Sequence, residues 1–249
     1  MINEKIFLKM PIPFKKGIEI FPPTVAEVVK DDLFFQKVNS FILTQEEIED
    51  SLTEMGTKEV EYIPTPFEVF FHNYFGDELC KYMIDEGFKI LFHSEALLLP
   101  EARVIIIDSM ENISNTTDLT KLKLIKEEDF FELQNLVRQV LGMEIVEPPI
   151  EDEDPRIKRM KMKARYRDKI KAKQNKEKGM TFFDCMVAIC CMGIGITPLN
   201  FEEISYALVS NLIKAYQSKE KYDIDIKSML AGAKDIHPEY WMSSWNKKE

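Results

Sequence analysis

Glycine is scarce, with nine in 249 residues, and this argues against a sheet-rich barrel, whose tight turns would call for many more. Histidine is scarcer still. His72, His93 and His237 are scattered along the chain, so no histidine pair stands beside spaced thiolates in the way a zinc site requires. The four cysteines do not supply that spacing either. Cys190 and Cys191 are adjacent, Cys185 lies in the same apolar stretch and Cys80 is remote, which reads as small hydrophobes in a reducing cytoplasm. No export signal opens the chain, because the amino-terminal apolar residues are broken by Lys9 and Pro11. The most apolar stretch, Phe182 to Ile196, is interrupted by Asp184, Gly193 and Gly195 and falls short of the ~20 residues needed to span a bilayer. No membrane, metal or cofactor is therefore expected.

Apolar residues make up 45% of the chain and include 17 Phe, enough for a substantial core built mainly from helices. The formal net charge is -10, which disfavours wholesale nucleic-acid binding. That charge is unevenly spread. Residues 144–155 carry a dense acidic cluster from Glu151 to Asp154, after which the chain turns abruptly basic from Arg156 to Lys178. Like charges at this density resist burial. The chain accordingly divides into an amino-terminal module (1–143), an acidic-then-basic linker or solvated helix (144–178) and a carboxy-terminal helical module (179–249). The expected fold class is mostly α with a small antiparallel β element in the first module, an α+β arrangement.

Along the first module, Pro11 and Pro13 predict an extended segment around Phe7 to Phe14. Pro23 is placed in the first turn of a short helix through Val25, Val28 and Val29. Further helices are predicted over Phe34 to Ile42, from Thr44, whose partner Glu47 has capping-box spacing, and from Pro66, with Thr65 as its cap. After Gly76-Asp77 the helical pattern continues to Leu91. Ala96 to Leu99 and the β-branched Val104 to Ile107, separated by Pro100-Glu101, predict a hairpin joined by a strand around Phe7. Asn112 to Thr117 reads as a polar turn. Phe130, Leu133, Leu136, Val137 and Val140 define a helix from Glu127 to about Leu141, ending at Gly142.

In the last module, Met180 to Met192 predicts a buried helix. Asn200 and Glu203 have capping spacing for a helix reaching about Lys219, and a separate short helix follows from Tyr222 to Leu230, stopped by Gly232. The chain closes on the aromatic cluster Tyr240, Trp241 and Trp245, which either folds back onto its module or docks on another protein.

Candidate chemistry is weak throughout. The carboxylates at Asp108, Asp118, Glu127, Glu128 and Asp129 lack the alternation and turn glycine of an oxygen-ligand loop. His72 has no recognisable nucleophile near it in sequence. Gly193-Ile194-Gly195 follows a helix and lacks the Gly-Lys-Ser/Thr of a phosphate loop. The basic run surrounds a helix on nearly every side. A solvated tether accounts for it, and the functional reading is that Arg156, Arg159, Arg165, Arg167 and their lysine neighbours engage an acidic partner or nucleic acid, with salt-sensitive affinity.

Phe131 to Val137, the passage Asp152-Glu153-Asp154-Pro155-Arg156-Ile157, the basic joint, Tyr222-Asp223-Ile224, Leu230 to Lys234 and Tyr240-Trp241-Met242 together resemble uncharacterised proteins of tailed bacteriophages of Gram-positive hosts. The resemblance covers mainly residues 127–245, and its motifs are packing patterns. It implies a non-enzymatic tail morphogenesis protein, similar in plan to the tail assembly chaperones that coat a tape-measure protein. Its implied partners are tape-measure or baseplate subunits, with homo-oligomerisation also compatible. The implied location is the host cytoplasm and, for the alternative of a permanent baseplate or neck component, the virion. A nucleic-acid-binding protein acting through 156–178 is the alternative from a different class.

Overall fold

The computed structural model describes residues 2–54, 62–108, 111, 113, 122–148, 154, 156–157, 160–165, 167, 182–192, 195–197, 199–233 and 236–240. Helices dominate, and two small antiparallel sheets complete the fold. The chain is therefore mostly α with a minor β element.

The amino terminus departs from expectation. Ile2–Phe7 forms helix α1, and the extended backbone begins only at Ile12–Pro13 (β1), which pairs with Glu19–Ile20 (β2). Proline restricts itself and the residue before it, so Pro11 and Pro13 leave the residues up to Phe7 free to coil. Phe7 therefore contributes no strand. Helix α2 (Val25–Lys30) is capped by Thr24, which accepts from the Glu27 N–H while Glu27 Oε2 accepts from the Thr24 N–H. This reciprocal box satisfies two otherwise orphaned donors, and it leaves Pro23 outside the helix instead of in its first turn.

Helix α3 (Phe34–Ile42) and helix α4 (Gln45–Glu54) follow, the latter opened by the Thr44–Glu47 box. Helix α5 (Pro66–Gly76) has Thr65 at its cap and proline in its first turn, and α6 (Glu78–Phe92) is capped by Asp77. Strands β3 (Ala96–Leu99) and β4 (Val104–Ile107) form the expected hairpin, in the register Leu98 opposite Ile105. The third strand is β5 (Leu124–Lys126), which pairs with β4 and runs straight into helix α7 (Glu127–Val140). The polar turn read over Asn112 to Thr117 falls almost wholly outside the described residues.

Helix α3 lies across α6 and α7 at the centre of the core, with Phe41, Phe70, Phe88 and Phe130 fully buried. Their rings meet mainly edge to face, with centroids 4.9–5.3 Å apart for Phe41–Phe88, Phe41–Phe70 and Phe70–Phe130, the geometry that aromatic quadrupoles favour. One face of the three-stranded sheet closes this core through Leu98, Ile105 and Ile125. Polar links fix the helix ends. Gln134 Nε2 donates to the Leu43 carbonyl at 2.7 Å and Arg138 Nη1 to the Ile42 carbonyl at 3.0 Å, so α7 satisfies carbonyls that the end of α3 leaves open.

Beyond the charged segment, α8 (Phe182–Cys191) is less buried than its composition predicts. Ile189 is its buried residue, whereas Phe183 and Val187 are exposed. High mean hydropathy here covers several faces while the neighbouring elements cover one. The last helix, α9 (Tyr206–Leu230), runs 25 residues without a break and begins after Ser205. Asn200 serves the preceding loop instead, accepting from the Thr197 N–H at 2.8 Å. The polar run Gln217 to Asp225 has no helix breaker, which is why the two helices expected from periodicity are one.

Two apolar clusters result. The larger takes in α1 to α3 and α5 to α7, and the smaller joins Ile189, Phe201 and Val209. They share elements: Val25 of α2 belongs to the small cluster and Ala207 of α9 to the large one. The backbone joins them as well, since Val25 N–H donates to Ile204 O and Tyr206 N–H to Pro23 O, each at 2.9 Å. These contacts attach the carboxy-terminal elements to the amino-terminal ones independently of the charged segment.

Candidate partner-binding surface

Among the described residues, helix α9 is buried against the body along its first half. Ala207 and Val209 are buried, Ser210 and Lys214 reach the Gly142 carbonyl, and Leu212 and Ile213 pack on the small cluster. After Val209 no residue of the helix is fully buried, and Ile224, Met229 and Leu230 are exposed. Ala215, Tyr222, Ile226 and Met229 follow one another at spacings of seven, four and three, which places them along one side of the helix. The chain turns at Gly232, with φ +92°, and returns so that the exposed Tyr240 ring stands edge-on to Tyr222 at 5.9 Å. Trp241 and Trp245 lie outside the described residues.

The basic segment is helical at its described positions, and Arg156 and Arg167 are exposed. The Arg156 N–H donates to Asp154 Oδ1 at 2.8 Å, an acidic residue capping the basic turn that follows it. Arg165 points inward instead. Its Nη1 is 2.5 Å from Glu46 Oε1 and its Nη2 is 3.4 Å from Asp50 Oδ1, both on α4. Arg159 lies outside the described residues. Of the described candidate residues, Tyr240 lies against α9 and Arg165 against α4, while Arg156 and Arg167 face solvent.

Sequence reasoning missed a third charged group. Arg103 ends the β3–β4 turn with φ 49°, and its Nη2 binds Glu68 at 3.0 Å and Glu127 at 2.6 Å. Tyr62 donates its hydroxyl to Glu68. Arg103, Lys126, Glu127 and Glu128 rim a shallow open depression of about 500 Å³. Its cations are already paired, Lys126 with Glu128 at 3.6 Å, so the arrangement ties α5, the hairpin and α7 together. The available signal was Glu68 itself, which as third residue of a capping box is held where a second partner can reach its other oxygen.

The Glu68 carboxyl is lowered from its ordinary 4.5 to about 2, first by the Tyr62 hydroxyl, then by the Thr65 N–H, then by Arg103. A carboxylate with a depressed folded value stabilises the fold fully above its unfolded value and loses that contribution as pH falls toward the folded one. Urea unfolding of the wild type and Glu68→Gln should therefore differ by a constant amount above about pH 5, with the gap closing between 4.5 and about 2. A gap independent of pH throughout that window would remove the carboxylate as its cause.

Among the described residues no group of three or more His, Cys, Asp or Glu is placed to hold a metal ion, and no helix is long and apolar enough to cross a membrane. Comparison of the chain with protein-family models, curated proteins and solved structures returns no match.

Proposed function

We propose that this protein is a non-enzymatic binding protein that grips another polypeptide through the second half of α9 and the tail returning to it. The observation carrying this reading is the incompletely covered side of that helix at Ala215, Tyr222, Ile226 and Met229, beyond the last residue that the body buries. A helical partner laid alongside would complete the seam, since residues at three- and four-residue spacing meet a neighbouring helix on one line. The resemblance of motifs within residues 127–245 to uncharacterised proteins of tailed bacteriophages suggests the setting: a tail assembly chaperone-like protein of the host cytoplasm, binding tape-measure or baseplate subunits.

The test is affinity purification of the tagged full chain from cells producing the phage that encodes it. Recovery of a tape-measure subunit, lost on Tyr222→Asp with Ile226→Asp, is expected. Mature virions should lack the chain. Stoichiometric presence in virions would favour the permanent baseplate or neck component, and recovery of no structural protein would overturn the assembly role.

A further inference from the structure

The three-stranded sheet ends differently on its two sides. Strand β5 runs into α7, and the N–H of its last residue, Lys126, donates to Asp129 Oδ2 at 3.3 Å. Strand β3 has no such closure. The ladder sets which way it faces. Ile107 N–H donates to the Lys123 carbonyl at 2.9 Å, so Ile107 turns its main-chain groups toward β5. Ala96, opposite Ile107, therefore turns its own N–H and C=O away from β4, and Leu98 does the same two residues on. Among the described residues nothing donates to or accepts from these groups. Both residues are nonetheless almost wholly buried, at 5% and 3% exposure. Main-chain groups this far from water are nearly always paired in folded proteins, which marks the edge as incomplete. Ala96 to Leu99 also holds no charge, proline or bulge, the devices by which proteins that stay monomeric blunt an open edge.

We propose that this edge is a dimerisation site, at which β3 pairs antiparallel with β3 of a second copy about a two-fold axis through Leu97. In that register Ala96 of each copy faces Leu98 of the other, and the two exchange N–H···O=C bonds in both directions. Both groups of Ala96 and both of Leu98 are then satisfied in each copy. Shifting the register sets Leu98 against Ser94, which precedes the strand, or Ala96 against Pro100, which has no N–H and whose carbonyl already accepts from Arg103 at 3.2 Å. The edge is thus complementary to itself, as an isologous two-fold contact requires. It joins the sheets of the two copies into one, with the helices of both on the same side. On the outer face the partly exposed Leu97 side chains meet across the axis. The ladder is short, so association depends on concentration. Each chain carries -10, and screening that repulsion favours the pair. The contact uses no residue of the α9 surface, so the two readings are tested separately.

The test is sedimentation equilibrium of the full-length chain over a range of concentrations. The average mass should climb toward twice that of one chain, and should do so at lower concentration when salt is raised. Leu97→Lys sets two ammonium groups against each other at the axis and should weaken association by about tenfold or more. The side chain lies on the outer face, so the fold should survive, which thermal melting checks. Cross-linking with oxidised glutathione reads the register. Leu97→Cys should give a disulfide-linked dimer, because side chains facing across the axis have Cβ atoms about 4.5–5.5 Å apart. Leu99→Cys, whose two copies are well out of step in this register, should cross-link no more than wild type with its native cysteines. A chain that stays monomeric at every concentration and salt overturns the inference, including where an extended segment of another protein takes the edge. So does a dimer that persists in folded Leu97→Lys, or that cross-links no better through Leu97→Cys than through Leu99→Cys.

Discussion

Phe41→Ala should lower the free energy of unfolding by about 3–5 kcal/mol, the usual cost of deleting a fully buried phenyl ring. Phe41 is 0% exposed and faces Phe70, Phe88 and Phe92 at centroid distances of 5.1, 4.9 and 6.1 Å. Those rings stand on α5 and α6, whereas Phe41 stands on α3. Closing the void would require two helices to move toward a third, against the contact of α3 with α6 at Gly87, where a Cβ would already lie 2.5 Å from the Lys37 carbonyl oxygen. The cavity should therefore stay largely open and the cost fall in the upper part of the range. Domains of this kind have only ~5–15 kcal/mol in hand, so the variant should show a much lower urea midpoint at unchanged slope. Phe75→Ala, on the exposed side of α5, should change stability by no more than about 0.5 kcal/mol. Similar losses at both positions would show that the phenyl cluster is not what holds these helices together.

Local rules made much of the amino-terminal region legible. The Phe34 to Ile42 helix, the Thr44 and Thr65 caps, the β3–β4 hairpin and the helix ending at Gly142 each rest on interactions within a few residues, which periodicity and capping chemistry report directly. Where the structure departs from local pattern, each departure has its own physical reason. Phe7 is helical although prolines follow closely, because a proline restricts only itself and the residue before it. β5 is not legible in the sequence, because a three-residue strand leading into a helix has almost no period of its own. Helix α9 is continuous where periodicity predicts two helices, because residues 217–225 are largely polar but hold no Gly or Pro to interrupt it. α8 is less buried than its hydropathy predicts, because hydropathy measures what a segment can bury and its neighbours decide what it does bury.

The candidate surfaces were legible in part, for the same reason. Tyr240 and the basic run were visible as composition, yet what each meets is set by chain segments far away in sequence. The partner of Arg165 lies 115 residues earlier at Asp50, and a carboxylate pair on a uniformly acidic helix looks like a solvated face until a guanidinium is seen between its members. The Arg103 network was hidden similarly, because Glu68 announces itself as a cap and gives no sign of the hairpin it also holds.

Gly142→Ala should cost about 2–4 kcal/mol, combining the ~1–2 kcal/mol penalty of a left-handed backbone for a residue with a side chain with the strain of an added group at a packed contact. Gly142 has φ +68°, and a Cβ there would lie 2.8 Å from Ser210 Cβ and 3.1 Å from Ala207 Cα. The glycine therefore serves twice, ending α7 in the manner glycine favours and letting α9 approach until Ser210 Oγ and Lys214 Nζ both donate to its carbonyl, at 3.3 and 3.2 Å. Pushing α9 away lengthens those bonds and loosens Ala207 from the large core. Gly232→Ala separates the two effects, because its φ of +92° carries backbone strain with nothing within 4 Å of the new Cβ. That variant should lose only about 1–2 kcal/mol or less. Adding Ser210→Gly to Gly142→Ala removes the nearest clashing atoms and should restore part of the loss, although the helix penalty of the new glycine, ~1 kcal/mol, limits the recovery. Hydrogen exchange should locate the damage: amides of residues 207–214 should lose protection in Gly142→Ala while those of α3 and α6 change less. If exchange rises uniformly through both regions, α9 opens together with the phenyl core, and its first half is as much a part of the main body as α3.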